Sequence, residues 1–191
     1  MKKVIVGFAV FGSVGAFAQV NVSIYSGFND TGSDITFSGF VGSFSSPAVT
    51  FGTDTGFDWR PLGQNGDYAA DISGFFNAPA TGDYQFGTTS DDGSYLFIGG
   101  NPVANVNNGG GHSPSFAAGV PVHLSQGVLV PFELKFQEEF GGQRGVDLLV
   151  KGPGQSEFSN VPAPFLATPE PASMVALGIG GVALLRRRKS K

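Results

Sequence analysis

Two carboxylates stand side by side at Asp91-Asp92, inside the phrase Ser90-Asp91-Asp92-Gly93-Ser94 and between two aromatic runs. Carboxylate oxygens are hard ligands, and a calcium ion takes six to eight oxygens at about 2.3–2.6 Å, so adjacent acids in one turn are a natural start to a cation site. Asp-Asp-Gly also makes an ordinary hairpin turn, and on local sequence alone both readings stand. A second acidic pair, Glu138-Glu139, opens a Gly-rich stretch that ends at Gln143-Arg144. Sequence neighbours of this kind do not suggest a glycosidase, whose two carboxyls sit about 5–9.5 Å apart across a substrate. His112 falls in a glycine-rich loop and His123 in an apparent strand; with no cysteine, no H-E-x-x-H, no G-x-S-x-G and no phosphate loop, no nucleophile–base pair is visible. The chain does not read as an enzyme.

Short strands must position these residues. Tyr84, Phe86 and Thr88 alternate with Gln85, Gly87 and Thr89, the period-two pattern of a half-buried strand. Similar runs cover Val20–Tyr25, Ile35–Phe40, Ala48–Phe51, Tyr68–Phe76, Tyr95–Ile98, Val120–Leu124, Val128–Phe136 and Gly145–Val150. Turn clusters such as Asn29-Asp30-Thr31-Gly32, Pro79-Ala80-Thr81-Gly82 and Gly99-Gly100-Asn101 separate them. No segment between residues 19 and 168 has helical periodicity with caps, so the expected architecture is an all-β antiparallel sandwich or barrel. Asn105–Ser115 reads as a loose loop, Glu138–Arg144 as too polar and Gly-rich for a core, and Trp59 as a core filler.

The phrase Ala80–Phe86, then Ser90–Ile98, Gly99 and the loop Asn107–His112, resembles the protective-antigen-type β-sandwich, a family that includes yeast flocculins and GLEYA adhesins. Phe57-Asp58-Trp59 upstream, and Leu129–Phe136 with Phe140-Gly141-Gly142 downstream, extend the resemblance over about residues 55–153. It implies a non-catalytic module in which a cis Asp91–Asp92 peptide turns both acids onto one Ca2+ ion. A second loop, Glu138 to Arg144, would then supply Gln143 and Glu138 or Glu139 as further oxygen donors. Tyr95 and His112 would be rim contacts to a bound sugar. The implied function is calcium-assisted carbohydrate binding or adhesion to extracellular polysaccharide or other glycan. The alternative is a structural matrix or envelope protein with no small ligand.

The two ends carry a different kind of signal. Lys2-Lys3, the apolar run Val4–Val14 and Ala16-Phe17-Ala18 have the layout of a secretory signal peptide, assigned to residues 1–18. At the other end Pro169-Glu170-Pro171 precedes 14 apolar or small residues, Ala172–Leu185, and then Arg186-Arg187-Arg188-Lys189. As a helix that stretch measures about 21 Å at 1.5 Å per residue, short for a hydrocarbon core of about 30 Å, and it would span only with snorkelling and local thinning. Pro169-Glu170-Pro171, a marginal apolar helix and an arginine cluster resemble the PEP-CTERM sorting signal. That resemblance implies processing by an exosortase, membrane attachment through the C-terminal helix beforehand, and display on the outer surface or in the biofilm matrix of a Gram-negative-type bacterium.

The expected division is therefore a signal peptide (1–18), a β-sandwich ectodomain (19–151), a Pro-rich linker (152–168) and a sorting and anchor segment (169–191). Between residues 19 and 168 lie 14 acidic residues against four basic ones, a net of −10 that the whole-chain value of −4 conceals. Such a surface repels phosphate backbones and makes a nucleic-acid partner improbable.

Overall fold

The structure, a computed structural model, describes residues 19–139 and 141–168. The expected signal helix and the C-terminal membrane helix, with Pro169, Glu170, Pro171, Arg186, Arg187 and Arg188, fall outside those residues. What is described is an all-β antiparallel sandwich.

Twelve strands follow in order: β1 (Val20–Asp30), β2 (Ile35–Ser46), β3 (Tyr68–Asn77), β4 (Gly82–Asp91), β5 (Ser94–Ile98) and β6 (Val106–Asn108), then β7 (Ser115–Ala118), β8 (Val122–Leu124), β9 (Leu129–Glu138), β10 (Gly145–Lys151), β11 (Ser159–Asn160) and β12 (Leu166–Ala167). One sheet runs β2-β1-β3-β9-β5-β6, with β12 also on β3; the other runs β11-β10-β4-β7, with β8 also on β4. Alternation decides which face each strand buries. Val20, Val22 and Ile24 of β1, Tyr68, Ala70, Ile72 and Phe76 of β3, and Phe132, Leu134 and Phe136 of β9 meet Tyr84 and Phe86 of β4 and Val146, Leu148 and Val150 of β10 in a single core cluster. Trp59 joins it as expected, stacked on Phe51 with ring centroids 4.3 Å apart.

The hairpin β1–β2 does more than extend the first sheet. Phe28, Ile35 and Phe37 near its turn pack on Tyr95 and Phe97, which point away from the main core, and so form a second, smaller cluster. Asn107 Nδ2 donates to Gly32 O at 3.0 Å and Lys135 Nζ to Asp34 Oδ1 at 2.8 Å, tying the turn down over the outer face of β5 and β9.

Several expectations need correction. Ala48–Phe51 is no strand: it contributes only a bridge, Thr50 to Asp147, although Val49 is buried. The supposed loose loop at 105–115 contains β6 and leads into β7, because Val106 has an inward place beside Leu96 to fill. Residues 152–168 are not a free linker. β11 pairs with β10, β12 pairs with β3, and Val161, Leu166 and Ala167 are buried, so the prolines shape a strap lying across the sandwich.

The strap also brings the last described strand beside the first. Ala167 pairs with Phe75, and a Cβ at Gly74 would lie 3.1 Å from Val20 Cγ1 and 3.2 Å from Ala167 O, so the first and last strands converge there. Glu138 pairs with Tyr68 at the other end of β3. Tyr68 and Phe75 are seven steps apart along the strand, about 23 Å at 3.3 Å per step.

Candidate metal and ligand site

β4 ends and β5 begins at the acidic phrase, so Asp91 and Asp92 sit where the chain crosses from one sheet to the other. The Asp91–Asp92 peptide bond is cis. Glu138 arrives from the last position of β9, on the inward-facing row of Phe132, Leu134 and Phe136. One carboxylate oxygen from each of Asp91, Asp92 and Glu138 lies within 4.8 Å of the others, and all three residues are buried.

Each acid is held differently. Asp92 accepts the His112 backbone N–H at 2.7 Å on Oδ1 and the Glu139 backbone N–H at 2.8 Å on Oδ2. Those contacts leave it oriented but still able to offer lone pairs. Glu138 is fully buried, and neither of its side-chain oxygens has a hydrogen-bond partner among the described residues. The opposing charge is Arg144, 3 % exposed, whose Nε stands 4.0 Å from Glu138 Oε1 while Nε and Nη1 have no hydrogen-bond partner among the described residues. The expectation that Glu138–Arg144 lies outside the core is thus wrong at both ends: the glycines between them, Gly141 (φ 72°) and Gly142 (φ 104°), turn the chain so that both polar heads point in.

Arg144 is pinned by backbone. Its N–H donates to Phe57 O at 2.7 Å and its carbonyl accepts the Trp59 N–H at 3.0 Å, while the Tyr68 hydroxyl donates to Trp59 O at 2.6 Å. Trp59, Tyr68 and Phe136, in mutual ring contact, make an apolar floor under the acids. In that setting an unpaired carboxylate is expensive to ionise. Burial, followed by Asp92, pushes the Asp91 carboxyl up, with His112 pulling against them. Burial also pushes Glu138 up to about 7; Arg144 opposes this, and Asp92, Asp91 and Asp67 add to it.

The sequence-derived residues fall into three groups. Asp91, Asp92 and Glu138 are brought together. Gln143 stands exposed on the loop. His112 is half-buried and joins through its backbone, because its ring faces the carbonyls of Asn108 and Ser113, each at 3.0 Å. Tyr95 is not a rim residue: it is fully buried in the second cluster, and its hydroxyl donates to Asp30 Oδ1 at 2.6 Å. The sequence reading missed Arg144 as the buried counter-charge. Its place among glycines after two glutamates was the available signal.

The crossover between the two sheets thus brings two aspartates against a glutamate from β9, with a buried arginine beside them. Residues 28–162 match the PA14 domain, and residues 167–189 match the PEP-CTERM protein-sorting motif. The chain belongs to the PA14 domain family and carries a PEP-CTERM motif at its C-terminus. No curated protein matches it. Among solved structures it is similar to the PA14 domain of the MpAFP antifreeze protein (TM-score 0.62, 17 % identity, covering 88 % of this chain and 96 % of that one). It is also similar to the PA14 sugar-binding domain from an RTX adhesin (TM-score 0.60, 12 % identity, 79 % and 98 % covered). An anti-sigma factor domain-containing protein from Clostridium clariflavum aligns at TM-score 0.64 and 21 % identity over 86 % of this chain and 53 % of that one; the chain spans about half the length of this protein and of a second anti-sigma factor domain-containing protein.

Proposed function

We propose that this chain is an exported surface or matrix protein, processed by an exosortase at its C-terminal motif, whose sandwich binds glycan with the help of a calcium ion. The observation carrying the metal is the carboxylate trio itself: Asp91, Asp92 and Glu138 converge within 4.8 Å, and both Glu138 oxygens are buried without partners. Such orphaned acceptors are costly unless something meets them. Three carboxylates against one guanidinium leave a charge of −2, which suits a divalent cation, and an all-oxygen donor set suits calcium over softer metals. Asp91, Asp92 and Glu138 would hold the ion, with Gln143 on the neighbouring loop able to swing in as a further oxygen donor. When bound, the ion would offer coordination positions to sugar hydroxyls.

The chain's own contribution is orientation. The His112 and Glu139 N–H groups fix Asp92, and Arg144, fixed by Phe57 and Trp59, keeps the trio from being over-charged. Sugar binding by the similar RTX adhesin domain, and the PEP-CTERM motif, support the reading of an outward-facing adhesive module. A glycan array with and without chelator tests it. Binding indifferent both to chelator and to Asp91→Ala would rule the calcium mechanism out.

One observation favours a second reading, a structural matrix protein without a small ligand. Arg144 already stands 4.0 Å from Glu138 and could serve as the permanent counter-charge. Calorimetry separates the two, since only a real site lets millimolar calcium raise the melting temperature.

A further inference from the structure

The sequence holds two Asn-Gly pairs, Asn65-Gly66 and Asn108-Gly109, and the fold treats them in opposite ways. An asparagine before a glycine carries an electrophile, its side-chain amide carbon, within reach of the next residue's unhindered backbone nitrogen. Asn108 is locked. Its Nδ2 donates to Ser90 Oγ and to Ser115 O, both at 3.1 Å, its Oδ1 accepts the Ser115 hydroxyl at 3.1 Å, and its backbone belongs to β6. The Gly109 N–H is engaged with Asn107 Oδ1 at 3.2 Å, and a Cβ on Gly109 would overlap the Tyr95 hydroxyl, so the turn has no room to swing.

Asn65-Gly66 stands in the open. Both residues are exposed, in irregular backbone between the 3-10 turn Pro61–Gly63 and the start of β3. The Gly66 N–H has no hydrogen-bond partner among the described residues, and a Cβ built there would meet nothing within 4 Å. The Asn65 side chain is held only by solvent-exposed bonds: Nδ2 donates to Gly63 O at 3.0 Å, and Oδ1 accepts Arg60 Nη1 at 3.0 Å. The second contact bears on reactivity, because a guanidinium on a carbonyl oxygen stabilises the negative charge that develops there under attack. Asp58 Oδ1, 2.7 Å from Arg60 Nε, keeps that guanidinium in place.

We propose that Asn65 is a site of self-modification, converting to aspartate and isoaspartate through its own backbone, while Asn108 is spared. The Gly66 backbone nitrogen, its proton taken by solvent base, bonds to Asn65 Cγ; the Cγ–Nδ2 bond breaks, and Nδ2 gains a proton and leaves as ammonia. Water then opens the five-membered imide at either carbonyl, with no change of oxidation state, giving aspartate or isoaspartate. Each product has its own consequence. Aspartate sets a second carboxylate against Arg60, opposite Asp58. Isoaspartate adds one backbone atom between Trp59 and Tyr68, which the Tyr68 hydroxyl ties together at 2.6 Å on Trp59 O, so the slack stays in the exposed loop. Neither calcium nor a glycan enters the chemistry.

The test incubates the full-length protein at mildly alkaline pH, folded in detergent and unfolded in urea, and follows the Asn65 and Asn108 peptides by mass spectrometry and by isoaspartyl methyltransferase labelling. In the folded protein the Asn65 peptide is expected to gain the mass of an amide-to-acid exchange at least tenfold faster than the Asn108 peptide, with isoaspartate the larger product. In urea the two rates should come within about threefold of each other. Gly66→Ala should slow Asn65 about tenfold, and Arg60→Leu, a surface change, should slow it severalfold in the folded protein alone. Folded Asn65 converting no faster than Asn108, aspartate forming without isoaspartate, or a folded-state rate untouched by Gly66→Ala or by Arg60→Leu would each overturn the proposal.

Discussion

Glu138 and Arg144 face each other 4.0 Å apart, both buried, and neither completes the other: two carboxylate oxygens and two guanidinium nitrogens have no hydrogen-bond partner among the described residues. A buried ion pair with that much unmet demand is strongly destabilised by removal of one member. Arg144→Leu is therefore expected to cost about 3–5 kcal/mol in chelator. If the trio holds calcium, added calcium should recover part of that loss in a urea melt.

Calcium alone should stabilise the wild type. At a concentration about 100 times its Kd, a ligand specific to the folded state adds about 2.7 kcal/mol, or roughly 5–10 °C for a domain of this size. Scanning calorimetry should show that rise, and Asp91→Asn or Glu138→Gln should abolish it.

Gly93 has a narrow task. A Cβ there would lie 2.9 Å from Gly110 O and 3.0 Å from Gly110 N, so Gly93→Ala must push the 107–112 loop outward. His112 would be carried away from Asp92 Oδ1. The expected outcome is a folded domain, about 1–3 kcal/mol less stable, with a weakened calcium response in the same calorimetric experiment.

Asp71 gives a pH dependence outside the site. Burial, with Glu133 adding and Lys135 opposing, pushes its carboxyl up to about 6. In the unfolded chain it would ionise near its ordinary 3.8, so between about pH 4 and pH 6 the folded state holds a proton that the unfolded state has released. Stability should accordingly fall as pH rises through that window, Asp71 contributing about 1–2 kcal/mol, and Glu138, raised to about 7, carries the fall further. Asp71→Asn should make the slope shallower between pH 4 and 6 in denaturant melts and leave the part above pH 6 in place.

The strap predicts resistance where a linker would be cut. Leu166 is 2 % exposed, so Leu166→Ala should cost about 2–5 kcal/mol. Limited proteolysis of the wild type should leave residues 152–167 intact, and the variant should lose them first.

Much of the sandwich was legible because β3, β4 and β9 alternate over much of their length, and the acidic crossover was legible because two adjacent carboxylates stand between aromatic strands. The rest hid behind composition. Glycine and proline announce turns but do not say whether a turn is solvated, so residues 152–168 read as a tether although Val161 and Leu166 had core positions to fill. Glu138, though a candidate oxygen donor, read as outside the core because its burial depends on β9 continuing two residues past Phe136, which no local pattern shows. Tyr95 read as accessible because nothing in its neighbourhood reveals that the β1–β2 hairpin, 65 residues earlier, folds over it.

The meeting of Val20 and Ala167 beside Gly74 gives the molecule two poles. The described chain leaves the sandwich just beyond Ala167 at one pole, while the three acids stand at the other, about 23 Å away along β3. In the outward-facing module proposed above, the exit of the chain and the approach to the acids therefore lie at opposite ends of the same strand.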